Sequence, residues 1–258
     1  MITGTDEELL ARGADLSGRA AGGELTYTHF LTPREQRLLK ERFGKDTLAL
    51  GGYAEAERRR VYFLPPYLSD LEEPYRTELL QEQLAESLVA VLVIGSGFRA
   101  LSHRDFLGAV LHLGIERDRI GDVAVISERE AVLFCDPLIA AFLTAHLERV
   151  ANDAVSVRPF TPPPDFDGGK RYLRVSDTVA SPRLDAVVAA LANLSRQRAQ
   201  ELLRAGKVEL DYEVEERCDA QVCDGAVLVI RGVGKFTVRT LSDKTRKGRF
   251  RLLADKHI

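Results

Sequence analysis

The sequence predicts an α+β protein built from three small units, and three observations predict it. Between about residues 84 and 158, apolar runs and helix signals follow one another in the order β-α-β-β-α-β. From Ser181 onward, two amphipathic helices precede short alternating strands. Between these stretches, Pro159 to Gly169 holds four prolines and two glycines in eleven residues, a composition that sustains neither a helix nor a central strand. The expected layout is an N-terminal α/β unit over 1–72, a central ferredoxin-like domain over 73–158, a linker over 159–180, and a C-terminal helix-helix-sheet domain over 181–258 ending in a basic tail.

In the first unit Thr32-Pro33-Arg34-Glu35 reads as a capping box with proline at the first helical position, opening a helix that runs to Phe43 and stops at Gly44. Thr47 to Leu50 and Arg60 to Leu64 read as strands flanking Gly51-Gly52-Tyr53 and the charged run Glu55 to Arg60. In the central unit Leu88 to Ile94 is a strand, and Ser102 with Asp105 caps a helix through Leu113 that Gly114 ends. Asp122 to Ser127 and Ala131 to Cys135 form a strand pair, Pro137 opens a helix to about Val150, and Ala154 to Val157 is a last strand.

In the third unit Ser181-Pro182 reads as an N-cap followed by proline, and Leu184, Val187, Val188 and Leu191 form one apolar stripe. Ser195 caps a second helix that turns Ala199, Leu202 and Leu203 inward and ends at Gly206. Val208, Leu210, Tyr212 and Val214 alternate with acidic residues, which predicts a strand with one wet face. Asp224-Gly225 is a turn into the strand Ala226 to Arg231, and Gly232-Val233-Gly234 interrupts the sheet before Lys235 to Thr240.

Composition excludes several classes. With 45% hydrophobic and 29% charged residues the chain has enough apolar material for a globular fold, and no stretch approaches the length of a membrane span. Asp6, Glu7 and Glu8 stand where a signal peptide needs basic and then apolar residues, so a cytoplasmic, unprocessed protein is expected. Three cysteines without a C-x-x-C and five histidines without an H-x-x-x-H pair suggest neither a disulfide framework nor a metal site. No metal or other cofactor is expected, and the lack of a long exposed apolar helix points to a monomer.

The net charge of −3 hides a division. Residues 181–258 carry 15 Lys and Arg against 11 Asp and Glu, and the last 28 residues carry nine against two. That asymmetry fits either a polyanion partner or a solvated basic tail. Arg196 and Arg198 sit in the first turn of the second helix, where the macrodipole disfavours cations by ~0.3–1 kcal/mol each. A phosphate at that end would reverse the sign, because helix N–H groups and guanidinium groups would converge on one anion. Arg183 repeats the pattern in the preceding helix, and Gln197, Lys207, Arg231 and Lys235 extend the candidate surface. This reading requires Arg183, Arg196 and Arg198 to share one surface, free of carboxylate partners.

The same residues carry a resemblance. Ser181-Pro182-Arg183-Leu184-Asp185, followed by Asn193-Leu194-Ser195-Arg196-Gln197-Arg198 and on through Val208, resembles the S4 RNA-binding domain. FLTPREQ (30–36), GGYAEAERRRVYFLP (51–65), LSHRDFLGAVLHLGI (101–115), RIGD (119–122) and RGVGKF (231–236) extend the resemblance over nearly the whole chain, to the YlmH-type S4 proteins of bacteria. The resemblance implies an RRM-like central domain, a C-terminal S4 domain and a non-enzymatic role in ribosome-associated quality control. Its implied partners are rRNA, with tRNA as a second candidate, on the 50S subunit. It also implies an RNA face of Arg183, Ser195, Arg196, Arg198 and Lys207. The chain departs from the pattern at Cys218, Cys223 and Ala226. The rival reading is an S4-guided RNA-modifying enzyme of the pseudouridine synthase or rRNA methyltransferase type, but residues 1–180 show neither a catalytic aspartate motif nor a Rossmann unit.

Four features of the central unit bear on function. Its middle strands offer only Phe134 for base stacking, short of what an RNA-reading sheet uses. Arg99, His103, Arg104, Arg117 and Arg119 suit either phosphate contact or a solvated face. Gly95-Ser96-Gly97-Phe98-Arg99-Ala100 matches a G-x-G-x-x-A cofactor loop, but the helix starts beyond it and a β-β pair follows where a parallel unit should continue. His103-Arg104-Asp105 resembles a kinase catalytic loop only in those three residues, since Val110 stands where asparagine is needed.

Overall fold

In a computed structural model that describes residues 4–69, 87–241, 245 and 248–258, the chain divides into two units, Met1–Gly169 and Lys170–Ile258. Both combine helices with antiparallel sheets, which makes the protein α+β. The expected boundary at 72–73 lies outside the described residues.

The N-terminal unit opens with α1 (Gly4–Ala21), a helix that apolar periodicity hardly announces because Leu16 and Ala20 are its only buried hydrophobic side chains. Its anchor is polar. Buried Asp6 accepts both terminal nitrogens of Arg34 at 2.6 and 2.9 Å, and Arg34 belongs to α2 (Pro33–Phe43). The α2 capping box forms as read, with the Thr32 hydroxyl accepting from the Glu35 amide and the Glu35 carboxylate accepting from the Thr32 amide. Strands β1 (Thr26–Tyr27), β2 (Thr47–Leu50) and β3 (Arg60–Phe63) pair in the order β1-β3-β2, and the short helix α3 (Pro66–Ser69) follows.

Next come β4 (Val89–Gly95), α4 (His103–His112), β5 (Ile120–Val125), β6 (Glu130–Cys135), α5 (Pro137–His146), β7 (Arg149–Val150) and β8 (Asp153–Phe160). The sheet order β5-β6-β4-β8-β7 is the one a split β-α-β-β-α-β unit requires, with β7 added at the edge. Helix α5 stops short of the expected Val150. Arg149 and Val150 instead pair with Ala154 and Asp153 across a turn in which Ala151 adopts φ 51°. One sheet face packs Val91, Val93, Leu133 and Cys135 against Phe106, Val110 and Leu143 of the two helices. Burial, together with nearby Asp136, pushes the Cys135 thiol up to about 12, so it packs as an inert apolar group.

The other sheet face is covered as well. Tyr53 stacks on Phe134 with ring centroids 5.1 Å apart, and Phe166 closes edge-on against Tyr53 at 5.3 Å. Phe160 and Phe166 come from the segment expected to be a linker, and these rings fold its first part into the unit despite four prolines. The loop carrying Tyr53 is fastened by Asp122, which accepts from the Tyr53 hydroxyl at 2.7 Å and from the amides of Glu57 and Arg58 at 2.8 and 2.9 Å. A second tie is Arg60, fully buried between the rings of Phe30 and Tyr27 at 4.7 and 5.1 Å. It donates to the Ser87 carbonyl at 2.6 Å and to Asp136 at 3.3 Å, while Asp136 also caps α5 through the Ile139 amide.

The C-terminal unit begins with β9 (Tyr172–Val179), which corrects the second half of the expected linker. Only Val175 and Val179 of this strand pack against the core, so it shows little apolar alternation, yet it pairs with β14 (Phe250–His257) along its whole length. Helices α6 (Leu184–Ala192) and α7 (Arg196–Arg204) follow, then β10 (Val208–Leu210), β11 (Glu213–Val214), β12 (Val227–Ile230) and β13 (Gly234–Thr240), in the sheet order β11-β10-β12-β13-β14-β9. The single strand expected over 208–214 is a tight hairpin. Asp211 and Tyr212 both take positive φ at its tip, as a type I′ hairpin turn requires, and the amide and carboxylate of Asp211 bond to Val227.

Gly52 holds φ 94°, and a Cβ there would lie 2.2 Å from the Phe134 ring. Gly52→Ala is expected to lift Tyr53 off the sheet and destabilise the N-terminal unit by about 2 kcal/mol, read as a lower Tm.

Candidate nucleic-acid interface

Helix α6 does not start at Ser181. Its N-cap is Arg183, whose side chain makes no capping bond, and Ser181-Pro182 precedes it in a bend. The segment 218–222 runs along this helix start. Leu184 and Asp185 donate their amides to the carbonyls of Ala220 and Cys218 at 2.8 and 3.1 Å, and Val222 donates to Pro182 at 2.9 Å. The N–H groups that would receive a phosphate at α6 are therefore occupied by the chain itself.

The centre of the arrangement is Asp185, with no exposed surface. Its carboxylate accepts from Arg196 Nε and Nη2 at 3.0 and 3.1 Å, from Gln200 Nε2 at 2.9 Å and, at longer range, from Arg183 Nε and Nη2 at 3.3 and 3.4 Å. Burial works against its ionisation, but the hydrogen bonds from Arg196, Gln200 and Arg183 outweigh it and leave the carboxyl at about 2. This corrects the expectation of unpaired guanidinium groups at both helix starts. Arg183 and Arg196 already share a carboxylate, and Arg198 pairs with Glu201 one turn along α7. The cations are tolerated at the positive end of the dipole because a buried anion lies between them.

What remains outward is smaller than expected. Ser195 caps α7 as read, accepting from the Arg198 amide at 3.2 Å. The amides of Arg196 and Gln197 have no acceptor among the described residues, and the Gln197 side chain is exposed. The side chains of Arg196 and Arg198 keep 52% and 60% of their surface exposed. At the far end of α7, about 13 Å away for nine helical residues, the Arg231 amide donates to the Lys207 carbonyl at 2.9 Å and brings those two cations together. Lys207 is exposed with no ion pair among the described residues, and Arg231 lies 3.9 Å from Glu209. Lys235 sits with its ammonium 5.1 Å from the centre of the Tyr212 ring, in register with Val229. The eight candidate residues thus fall into two clusters, one at each end of α7.

In the N-terminal unit Arg117 donates to the carbonyls of Ile120 and Gly121, and Arg119 donates to Asp136, so both are structural. Burial, with Arg58 nearby, lowers Arg117 to about 10. Asp185 and Gln200 were missed as site-forming residues. The available signal was a lone carboxylate beside the apolar stripe of α6, two residues after an arginine. No group of His, Cys, Asp and Glu placed to hold a metal occurs among the described residues.

Residues 86–161, which carry the β5-β6-β4-β8-β7 sheet, match a family model described as "Putative RNA-binding domain in YlmH". The class is thus that of chains containing this type of domain. A protein of Bacillus subtilis (strain 168) named "Ribosome-associated protein quality control protein P2" is 32% identical over 238 residues, spanning 89% of this chain and 86% of that protein. The chain belongs to the YlmH family. Among solved structures, "Cell division protein ylmH from Streptococcus pneumoniae" aligns with a TM-score of 0.46 at 22% identity, over 62% of this chain and 93% of that one.

The carboxyl of Asp185 titrates lower in the folded protein than the roughly 3.9 of an unfolded chain, so its stabilisation is complete above that pH and is lost as the pH falls toward about 2. Asp185→Asn is expected to lower stability by on the order of 2 kcal/mol near neutrality, and the gap to the parent should close as Tm is followed from pH 5 toward pH 2.

Proposed function

We propose that this protein is a non-enzymatic RNA-binding factor of the large ribosomal subunit, acting in ribosome-associated quality control of stalled nascent chains. The observation that carries this reading is 32% identity, along nearly the whole chain, to a relative named for ribosome-associated protein quality control. The RNA-binding description of the family model matching 86–161 and the basic C-terminal charge support it. In this reading the helix pair α6 and α7 with its sheet is an S4 module, preceded by an RRM-like domain over 73–158 and an α/β domain over 1–72.

The S4 module docks on structured rRNA of the 50S subunit, with tRNA as a second contact, and the protein works as a cytoplasmic monomer. Ser195, Gln197 and Arg198, with the open amides at the start of α7, meet one stretch of phosphate backbone. Lys207, Arg231 and Lys235 meet another. Arg183 and Arg196 act first as the clamp on Asp185, which fixes the start of α7, and Arg196 turns its unbonded Nη1 to the RNA.

Arg198→Glu combined with Lys207→Glu avoids the clamp and should leave the fold intact while lowering co-sedimentation with 50S subunits at least tenfold. Each lost phosphate contact should flatten the log-log salt dependence by ~0.7–0.9. Unchanged co-sedimentation of the folded double variant would remove this surface from consideration. Bulk rRNA incubated with the protein and S-adenosylmethionine should yield no new modified nucleoside on digestion, and the appearance of one would favour the enzyme reading.

A further inference from the structure

The loop between β4 and α4 matches a cofactor-binding spacing in sequence but is built for something else. It is pinned at both flanks. Gly95 donates to the Arg129 carbonyl at 2.8 Å, the amide and hydroxyl of Ser96 donate to the Ala154 carbonyl at 3.0 and 2.9 Å, and Leu101 donates to the Glu128 carbonyl at 2.7 Å. The Arg129 guanidinium donates to the Gly97 carbonyl at 2.9 Å. Gly97 lies so close to the Asp153 carboxylate that a Cβ would stand 2.3 Å from its oxygen. The loop therefore has little freedom to fold its apex inward.

That apex is Phe98, at 102% relative exposure the most exposed large hydrophobic side chain among the described residues. Among the described residues its ring meets neither an aromatic ring nor a cation. A single exposed apolar residue is ordinary by itself. What sets this one apart is its company. Arg99 and Arg104, both exposed, have no carboxylate partner at bonding distance among the described residues, and Arg129 is spent on the loop carbonyl. Of the nearby acids, Asp105 is held by Ser102 in the capping box of α4 while feeling the charges of Arg99 and Arg104 without bonding to them, Asp153 lies against Gly97, Glu130 accepts from the Ser127 hydroxyl, and Glu128 is exposed on the neighbouring turn. The sheet face on which an RRM-type domain would stack bases is closed here, since Phe134 is 1% exposed beneath Tyr53 and Phe166.

We propose that Phe98 is a stacking platform for an unpaired RNA base, with Arg99 and Arg104 on the adjoining phosphates, so that this domain binds single-stranded RNA from its loop edge. The proposal rests on the RNA-binding reading given above. An aromatic ring beside free guanidinium groups is the combination that holds single strands without sequence preference.

The test uses the full chain and a short fluorescein-labelled oligouridine, with a blunt RNA duplex as control. Phe98→Ala should weaken oligouridine binding about tenfold without changing its salt dependence or the Tm, and Phe98→Trp should retain binding. Arg99→Gln and Arg104→Gln should each flatten the log-log salt slope by ~0.7. Equal affinity of the parent and Phe98→Ala, or equal loss in Phe98→Ala and Phe98→Trp, overturns the proposal. So does a Phe98→Ala chain that leaves the 50S subunit while binding oligouridine normally, since that would make the ring a protein contact. A parent chain that co-sediments with 50S subunits but ignores oligouridine overturns the stacking site and leaves the ribosomal function standing. A chain that binds oligouridine through Phe98 but does not co-sediment does the reverse.

Discussion

A carboxylate taken out of water has to be met by hydrogen bonds on nearly every lone pair, and in the C-terminal unit that requirement falls on Asp185. Two arginines and a glutamine converge on it from both helices, so the relative placement of α6 and α7 is set by one buried anion as much as by the apolar stripe beneath it. The same device recurs elsewhere. Asp136 gathers Arg60 and Arg119 and caps α5, Asp122 fastens the loop of Tyr53, and Asp255 accepts from Arg239 and Arg174 across the C-terminal sheet. Many of the arginines hold the molecule together.

This division changes how the basic face should be understood. An arginine locked on a buried carboxylate costs little further ordering when a phosphate approaches, because its rotamer freedom is already gone. It also brings less charge to the contact, since the carboxylate has neutralised part of it. On the proposed face, Arg183 and Arg196 would thus contribute position, while Lys207, which has no ion pair among the described residues, would contribute uncompensated charge. In the proposed reading, shape at one end of α7 and charge at the other would suit a structured RNA better than a featureless polyanion.

The central sheet shows the opposite economy. Aromatic residues that would serve an open nucleic-acid platform are turned inward, where Phe134, Tyr53, Phe160 and Phe166 form one packed cluster. That cluster explains why the proline-rich segment after β8 stays with the N-terminal unit instead of spanning freely between two bodies. Among the described residues of this domain, the pinned β4-α4 loop carries the most exposed aromatic ring, Phe98 at 102%, with Phe142 on α5 the other exposed one, at 38%.

Local chemistry was legible in the sequence. The capping boxes at Thr32 and Ser102, the cap at Ser195, the glycine stops and, β7 apart, the order of strands and helices from 89 to 160 depend on neighbours within a few residues, and the chain carries that information in its spacing. The basic character of the C-terminal end was legible too. Helix α1, the edge strand β9 and the hairpin at Asp211-Tyr212 were not, because each is held by partners distant in sequence: Asp6 by Arg34, Tyr172–Val179 by β14, and Asp211 by Val227. The pairing of the site arginines belongs to the same category. Composition counts a guanidinium as one positive charge, and only the tertiary structure, by burying Asp185 eleven residues before Arg196, decides that the charge is already answered.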